Sequence, residues 1–564
     1  MDNHADGAIR GGRIVGCARR GVARRAWRGG LLAGAALGAL LGARGASAYQ
    51  FQTGIPDLTV NWDNTLQYTV LGRVKSQDSA LTALPNVDDG DRNFHRGIVS
   101  NRVDLFSELD VGYKNFGFRT SAEAWYDTVY HGSNANNSPG TANALSVPYN
   151  QFTSATTTLM GQDIRLMDAF LYGHVDIGDT ALSFRAGRHA LIWGETLFFG
   201  ANGIAGGMAP IDYIKLQSVP GTPFKEVILP TNQLSGQVQL NSTVSVAGFY
   251  KLEWQRDWTP GAGSYFSPID ILDTGGERIL AGPPGSPLFF GRIGDMTARS
   301  SGQGGIALRI HPENHPVDYG LYLMQFHATE PVVYVQPNGG YPDLGNYQLV
   351  FPQNIRTAGA SASTSIGDVN LGAEVSVRTN MPLVPTGGSV TVAPGQNANN
   401  SSNPAYPVGR TLHANLNWIW SVPRTPFFKS ADFLGEIAWN RRISVQENAA
   451  ALDPNATRDA SALRFLFTPA YTQVLSGVDL QVPIGISYGI SGRSSVYNPG
   501  FSVYHGGDMS IGLTATYQQR WKTSLNFVHY YGAGTPIVGQ NGSYTYGQYL
   551  KDRDFVSLTF TGTF

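Results

Sequence analysis

Between Val99 and Tyr130 apolar and polar residues alternate. Val99, Val103, Leu105, Leu109, Val111 and Tyr113 share one face, and Arg102, Asp104, Glu108, Asp110 and Lys114 share the other. A period of two residues is the signature of a strand. The pattern breaks at Lys114-Asn115 and resumes with Phe116, Phe118, Ala122, Ala124, Tyr126 and Tyr130 opposite Arg119, Ser121, Glu123 and Asp127. This predicts a hairpin of two strands of about fifteen residues each, where five or six is usual. Strands of that length, apolar on one side and charged on the other, suit a tilted crossing of a bilayer with lipid outside and water inside.

The same alternation starts at Leu58 and recurs to the end of the chain. Candidate strands fall at 58–70, 98–114, 116–130, 164–177, 180–193, 234–240, 243–256, 304–311 and 318–328. Others fall at 356–366, 369–379, 409–421, 431–443, 461–473, 478–489, 508–517, 521–531 and 554–564. The connections alternate in length: long at 74–97, tight at Lys114-Asn115, long at 131–163, tight at Gly178-Asp179, long at 194–233, tight at Asn241-Ser242, long at 257–303. Short periplasmic turns and long extracellular loops are the rule for outer-membrane barrels, and a soluble sandwich has no reason to obey it. The expected fold is therefore all-β, a transmembrane antiparallel β-barrel of about 18 strands, within a range of roughly 14–18. Trp62, Trp418, Trp420 and Trp521 fall in the outward register at the expected periplasmic rim, with Trp254 near the other, as an aromatic girdle requires. Phe564 ends an amphipathic strand, which looks like the terminal signal read by the barrel assembly machinery.

Composition narrows the reading. Charged residues are 14% of the 564, below the roughly 25% of soluble domains, and a net charge of -1 gives no field for nucleic acid. No run of about twenty apolar residues occurs beyond the N-terminus, which excludes a helical membrane protein. Residues 1–48 read as a signal peptide: seven arginines from Arg10 to Arg28 precede a small-residue apolar run that ends in Ala46-Ser47-Ala48. Residues 49–564 would then be the barrel. The single cysteine, Cys17, lies in the signal, so the mature chain has no disulfide and no thiolate site.

Several blocks resemble a family of Gram-negative proteins grouped as domain of unknown function 1302. They are NVDDGDRNFHRGIVSNRVDLFSELDV (86–111), GFRTSAEAWYDTVY (117–130), GRHALIWGETLFF (187–199), PIDYIKLQSVPG (210–221), FKEVILP (224–230) and the closing RDFVSLTFTGTF. The resemblance implies an exported outer-membrane barrel, often associated with the handling of hydrophobic compounds, in contact with lipid and lipopolysaccharide. It supplies location better than mechanism.

The inward register carries Arg102, Asp104, Glu108, Asp110, Lys114, Arg119, Glu123, Asp127, Glu374, Arg378 and Glu436. The plainer reading of this mixed-sign lining is cross-strand ion pairs that brace the wall, and the alternative is a solute-binding face. The connection 194–233 is too long for an idle link, and its LFFGANGIAGGMAP stretch is too apolar to face water. Either it folds inward as a constriction, or it caps the rim from outside. Its candidate residues are Arg188, Trp193, Glu195, Phe198, Phe199, Met208, Lys215, Lys225 and Glu226, with Arg188, Glu195, Lys215 and Glu226 pinning it through ion pairs. Asp88-Asp89-Gly90-Asp91-Arg92-Asn93 sets three carboxylates close together and could hold calcium, but it lacks the spaced ligands of a calcium loop, so the favoured reading is a turn stabilised by its Asp and Asn side chains, with neither a metal nor a cofactor expected. No nucleophile elbow, metalloprotease helix or phosphate loop occurs, and His505 near Ser510 and His189 near Glu195 are pairs without a third member. The expected function is passive passage of a small hydrophobic or amphipathic compound across the outer membrane. The rivals are an accessory barrel working with a periplasmic or inner-membrane export partner and, behind it, an outer-membrane lipid hydrolase.

Overall fold

The computed structural model describes residues 49–178, 180–219 and 224–564, so the expected signal peptide at 1–48 lies outside the described residues. Eighteen antiparallel strands form one closed barrel. They are β1 (Leu58–Arg73), β2 (Gly97–Tyr113), β3 (Phe116–Asp127), β4 (Gln162–Ile177), β5 (Thr180–His189) and β6 (Thr231–Gln239). Next come β7 (Val244–Lys251), β8 (Gln303–Ile310), β9 (Val317–Phe326), β10 (Ile355–Ile366), β11 (Val369–Pro382) and β12 (Val408–Val422). The last are β13 (Ser430–Glu447), β14 (Asp459–Leu475), β15 (Val478–Gln481 continued by Ile484–Gly492), β16 (Gly507–Tyr517), β17 (Trp521–Tyr531) and β18 (Phe555–Thr563). Each strand pairs with the next, and β1 pairs with β18 from Thr65↔Thr563 to Arg73↔Phe555, which closes the cylinder without an edge.

Alternation decides which surface each side chain meets. Leu166, Leu171, Ile306, Leu323, Leu416 and Ile511 are exposed on the outer surface, while Glu108, Glu123, Glu374, Asn415 and Glu436 on the inward register are buried. At the short-turn end the links are tight. Tyr113 pairs with Phe116 across Lys114-Asn115, and Ile366 pairs with Val369 across Gly367-Asp368. Large aromatics stand exposed there, among them Trp62, Tyr113, Phe116, Tyr319, Trp420 and Tyr517.

Four of the residues placed by alternation in the sequence lie elsewhere. Val99 is 1% exposed, because Leu71 pairs with Ser100 while Gly72 pairs with Ile98. The extra residue is a β-bulge that turns Val99 inward, onto Leu71, Tyr265 and Phe266. Tyr130 lies past the end of β3, in the turn Thr128–His131, which Asp127 caps by accepting the Val129 N–H at 2.9 Å. Its ring packs between Phe94 and Phe152. Trp254 lies beyond β7 and donates its indole N–H to the Ala328 carbonyl at 3.1 Å, with its ring edge-on to Phe351, so it belongs to the loop cluster. Lys114 occupies the turn at φ +54° and is exposed, so it does not line the lumen.

The long connections build a cover of their own. Five short strands, Ser389–Thr391, Val332–Pro337, Asp343–Val350, Phe289–Arg292 and Arg278–Leu280, form a second sheet in that order. Val333, Tyr347, Leu349 and Phe351 pack in one cluster, and Val332, Tyr334 and Val350 in another. Burying such side chains is worth about 1.5–3 kcal/mol each, which holds together loops that are far apart in sequence.

Candidate lumen constriction

The connection from β5 to β6 enters the barrel. Trp193, Ile204 and Met208 are at most 3% exposed and pack against Ala247, Phe249, Ala307, Tyr322 and Met324 on the inner faces of β7, β8 and β9. Phe199 sits on Ala438 and Ala462 of β13 and β14, with Phe501 edge-on to its ring. Leu197 and Phe198 stay half-buried, and the Arg464 guanidinium lies 5.7 Å from the Phe198 ring centre.

Polar groups of the wall hold this segment through its backbone. Glu436 Oε2 accepts the N–H groups of Leu197, Phe198 and Phe199 at 3.0, 2.5 and 3.0 Å. Glu374 accepts the N–H of Glu195 at 2.8 Å on one oxygen and that of Ile204 at 2.7 Å on the other. The Arg378 guanidinium donates to the carbonyls of Ala201, Asn202 and Gly203 at 3.0, 2.9 and 2.6 Å. A short irregular segment leaves many backbone groups unpaired, and a buried unpaired group costs about 1–3 kcal/mol, so these three side chains do what a neighbouring strand would do. Gly194, at φ +96°, and Gly203 let Glu374 come this close, since a Cβ at either would run into its carboxylate. Asn202 completes the anchor: its amide donates to Asn415 Oδ1 at 2.9 Å, and its Oδ1 meets Asn440 Nδ2 at 3.1 Å and His413 Nδ1 at 3.0 Å.

The second half of the connection turns back to the far side of the barrel. Asp212 accepts the Lys215 N–H at 2.8 Å and so caps the helix Tyr213–Ser218. Lys215, 3% exposed, reaches Glu123 on β3 and Glu226 at 3.4 Å. Burial pushes the Asp212 carboxyl up to about 6, against the pull of the Lys215 N–H. Leu229 is buried between Phe106 of β2 and Met167 of β4. The two halves therefore grip β11–β13 and β2–β4, which stand nine strands apart around an eighteen-stranded wall.

The expected ion-pair pins are only partly present. Lys215 and Arg188 are in ion pairs, Arg188 with Glu253 at 2.8 Å beside a bond to Gln255 at 3.0 Å, whereas the Glu195 carboxylate accepts from the Ser361 hydroxyl at 3.2 Å. The Lys225 side chain lies outside the described residues. Among the lining residues, Arg102 pairs with Asp104 at 2.7 Å and Glu108 with Arg119, while Asp110 accepts the Tyr172 hydroxyl at 2.9 Å. Asp127 accepts the Ser100 hydroxyl at 2.5 Å and the Asn101 N–H at 3.1 Å. Of these contacts Glu108–Arg119, Asp110–Tyr172 and Asp127–Ser100 run between strands and Arg102–Asp104 lies within one, whereas Glu123, Glu374, Arg378 and Glu436 hold the connection. Sequence reasoning passed over Asn202, His413, Asn415 and Asn440. It also passed over a stack in which the Arg165 guanidinium lies 4.8 Å from the Trp125 ring centre and 3.7 Å from that of Trp258.

A closed eighteen-stranded barrel with an apolar outer belt, whose interior is crossed by one of its own connections, is a β-barrel of the outer-membrane type. The chain belongs to the family described as Protein of unknown function (DUF1302), which matches residues 29–564. No curated protein sequence matches it. Solved structures with a similar trace include OccAB1 of Acinetobacter baumannii, 10% identical, with a TM-score of 0.42 over 90% of this chain and 96% of that one. OpdK of Pseudomonas aeruginosa, in a structure with vanillate, is 9% identical at a TM-score of 0.39 over 90% and 98%. The outer membrane channel DcaP of Acinetobacter baumannii is 8% identical at 0.38 over 92% and 100%.

Proposed function

We propose that this protein is an outer-membrane channel, exported by its N-terminal signal, through which small hydrophobic or amphipathic compounds pass down their gradient. The observation that carries this reading is the attachment of residues 195–204 to Glu374, Arg378 and Glu436 across the lumen. The wall takes up backbone N–H and carbonyl groups there, and the residues the segment leaves half-buried include Leu197, Phe198 and Ala201 beside Glu195, Thr196 and Gly200. A constriction of that kind removes little hydration from an apolar solute and much from an ion. The test compares the wild type with a chain in which residues 196–207 are replaced by a Gly/Ser linker, in planar bilayers and in vesicles loaded for uptake of an apolar fluorophore. Low ion conductance that rises in the replaced chain, together with apolar uptake by the wild type, is expected. High, unselective conductance with no uptake above empty vesicles would overturn the proposal, and conduction only with an added periplasmic extract would favour the accessory barrel.

A further inference from the structure

Asp270, in the connection 252–302, lies against Asp88 and Asp89, in the connection 74–96, and their carboxylate oxygens come within 4.8 Å of one another. The turn 88–93 is thus a helical turn (Asp89–Arg92) bonded from a distant loop and not by its own side chains alone: Asp270 accepts the Asp89 N–H at 3.0 Å. All three carboxylates are buried, at 0, 7 and 1% exposure. Arg92 pairs with Asp88, but among the described residues neither Asp89 nor Asp270 has a cation at ion-pair distance; Arg278 and Arg553 act on them only from further off. Asp89 accepts only neutral donors, Asn136 Nδ2 at 3.0 Å and the Asn143 N–H at 2.9 Å.

A second observation points into the same place. Asn143, from the connection 128–161, is 2% exposed, and its amide nitrogen is fixed by Asn86 Oδ1 at 2.7 Å and the Arg278 carbonyl at 2.9 Å. Those two acceptors settle which end of the carboxamide is nitrogen, and they leave Asn143 Oδ1 buried with no donor. Asn143, Asp89 and Asp270 line one cavity of about 20 Å³ together with Asn93, Gln151 and Thr153, room for a single water-sized sphere.

We propose that Asp88, Asp89, Asp270 and Asn143 form a calcium site that ties three long connections together. The donors are all hard oxygens, and Ca²⁺ takes six to eight of them in flexible geometry, whereas the tight octahedron of Mg²⁺ suits this uneven set poorly. Three carboxylates meet here, and among the described residues only Arg92, on Asp88, stands at ion-pair distance from any of them. A bound divalent ion supplies the balancing charge.

The test uses the full-length purified protein, stripped with chelator and titrated with CaCl₂ or MgCl₂ alone, with bound metal measured by elemental analysis and unfolding by a thermal melt. One calcium per chain is expected, with a midpoint of roughly 0.1–1 mM, as in extracellular calcium modules, and a melting temperature that climbs with calcium and hardly with magnesium. Asp89→Asn and, if that variant folds poorly, Asp270→Asn should lose the calcium-dependent climb, each compared with its own melting temperature in chelator. A melting temperature flat in calcium, or a climb that survives both substitutions, would overturn the site.

Discussion

The carboxylate of Glu436 on β13 accepts the backbone N–H of Phe198 at 2.5 Å, although the two residues are 238 positions apart. The same oxygen serves Leu197 and Phe199, so one side chain fixes a whole turn of the connection.

Glu436→Ala should release that turn. It leaves three backbone N–H groups and the Asn415 amide without their acceptor in a partly buried place, at a cost of about 3 kcal/mol. Equilibrium unfolding should show this loss, and single-channel recordings should show larger, noisier current. Unchanged recordings would mean that the segment does not limit the lumen.

Gly203→Ala places a methyl group against the Glu374 carboxylate and the Thr196 side chain. Overpacking of this kind costs about 1–3 kcal/mol. A lower unfolding midpoint is expected, and the double variant Gly203→Ala with Glu374→Ala should lose less than the sum of the two single losses. Full additivity of the two losses would show that they do not touch.

Lys215→Met removes the ammonium that pairs with both Glu123 and Glu226. Breaking one partner of a buried ion pair costs about 3–5 kcal/mol, because the other charge is left stranded. Adding Glu123→Gln to Lys215→Met should restore much of the stability, and denaturant unfolding of the three chains measures it. A double variant no better than the single one would contradict the pairing.

Asp257 makes stability depend on pH. It accepts the Ile211 N–H and the Thr329 hydroxyl, both at 2.8 Å, and faces Lys251, Asp273 and Glu330. Burial pushes its carboxyl up from 3.8 to about 7. The folded chain therefore holds this proton more tightly than the unfolded chain. The stability that follows is fully present below about pH 4 and is lost as pH rises through about 7. Asp257→Asn should melt above the wild type by a margin that widens between those limits. Parallel melting profiles would rule this out.

The barrel was largely legible because its signals are local. Strand alternation and turn residues such as Gly367-Asp368 act between neighbours, and the expected strand ends lie within a few residues of the observed ones. The bulge at Val99 escaped because it depends on how β1 and β2 pair, and the five-stranded loop sheet because its strands come from three connections. The site was legible as residue types and not as partners. Glu374 and Glu436 showed as inward carboxylates, but nothing near either in sequence says that it binds backbone 170 or more positions away. Asp270 meets Asp89 across 181 positions, so the cluster could not be found in the 88–93 segment alone.

The anchoring of residues 195–204 also bears on how the barrel is made. Their anchors on β11 to β13 all come later in the chain, so the connection leaves β5 with nothing to hold. It can take its place only after the chain as far as Glu436 has been laid into the wall. Until that moment an apolar, glycine-rich segment must be kept from sticking elsewhere, and its docking belongs among the late steps of assembly.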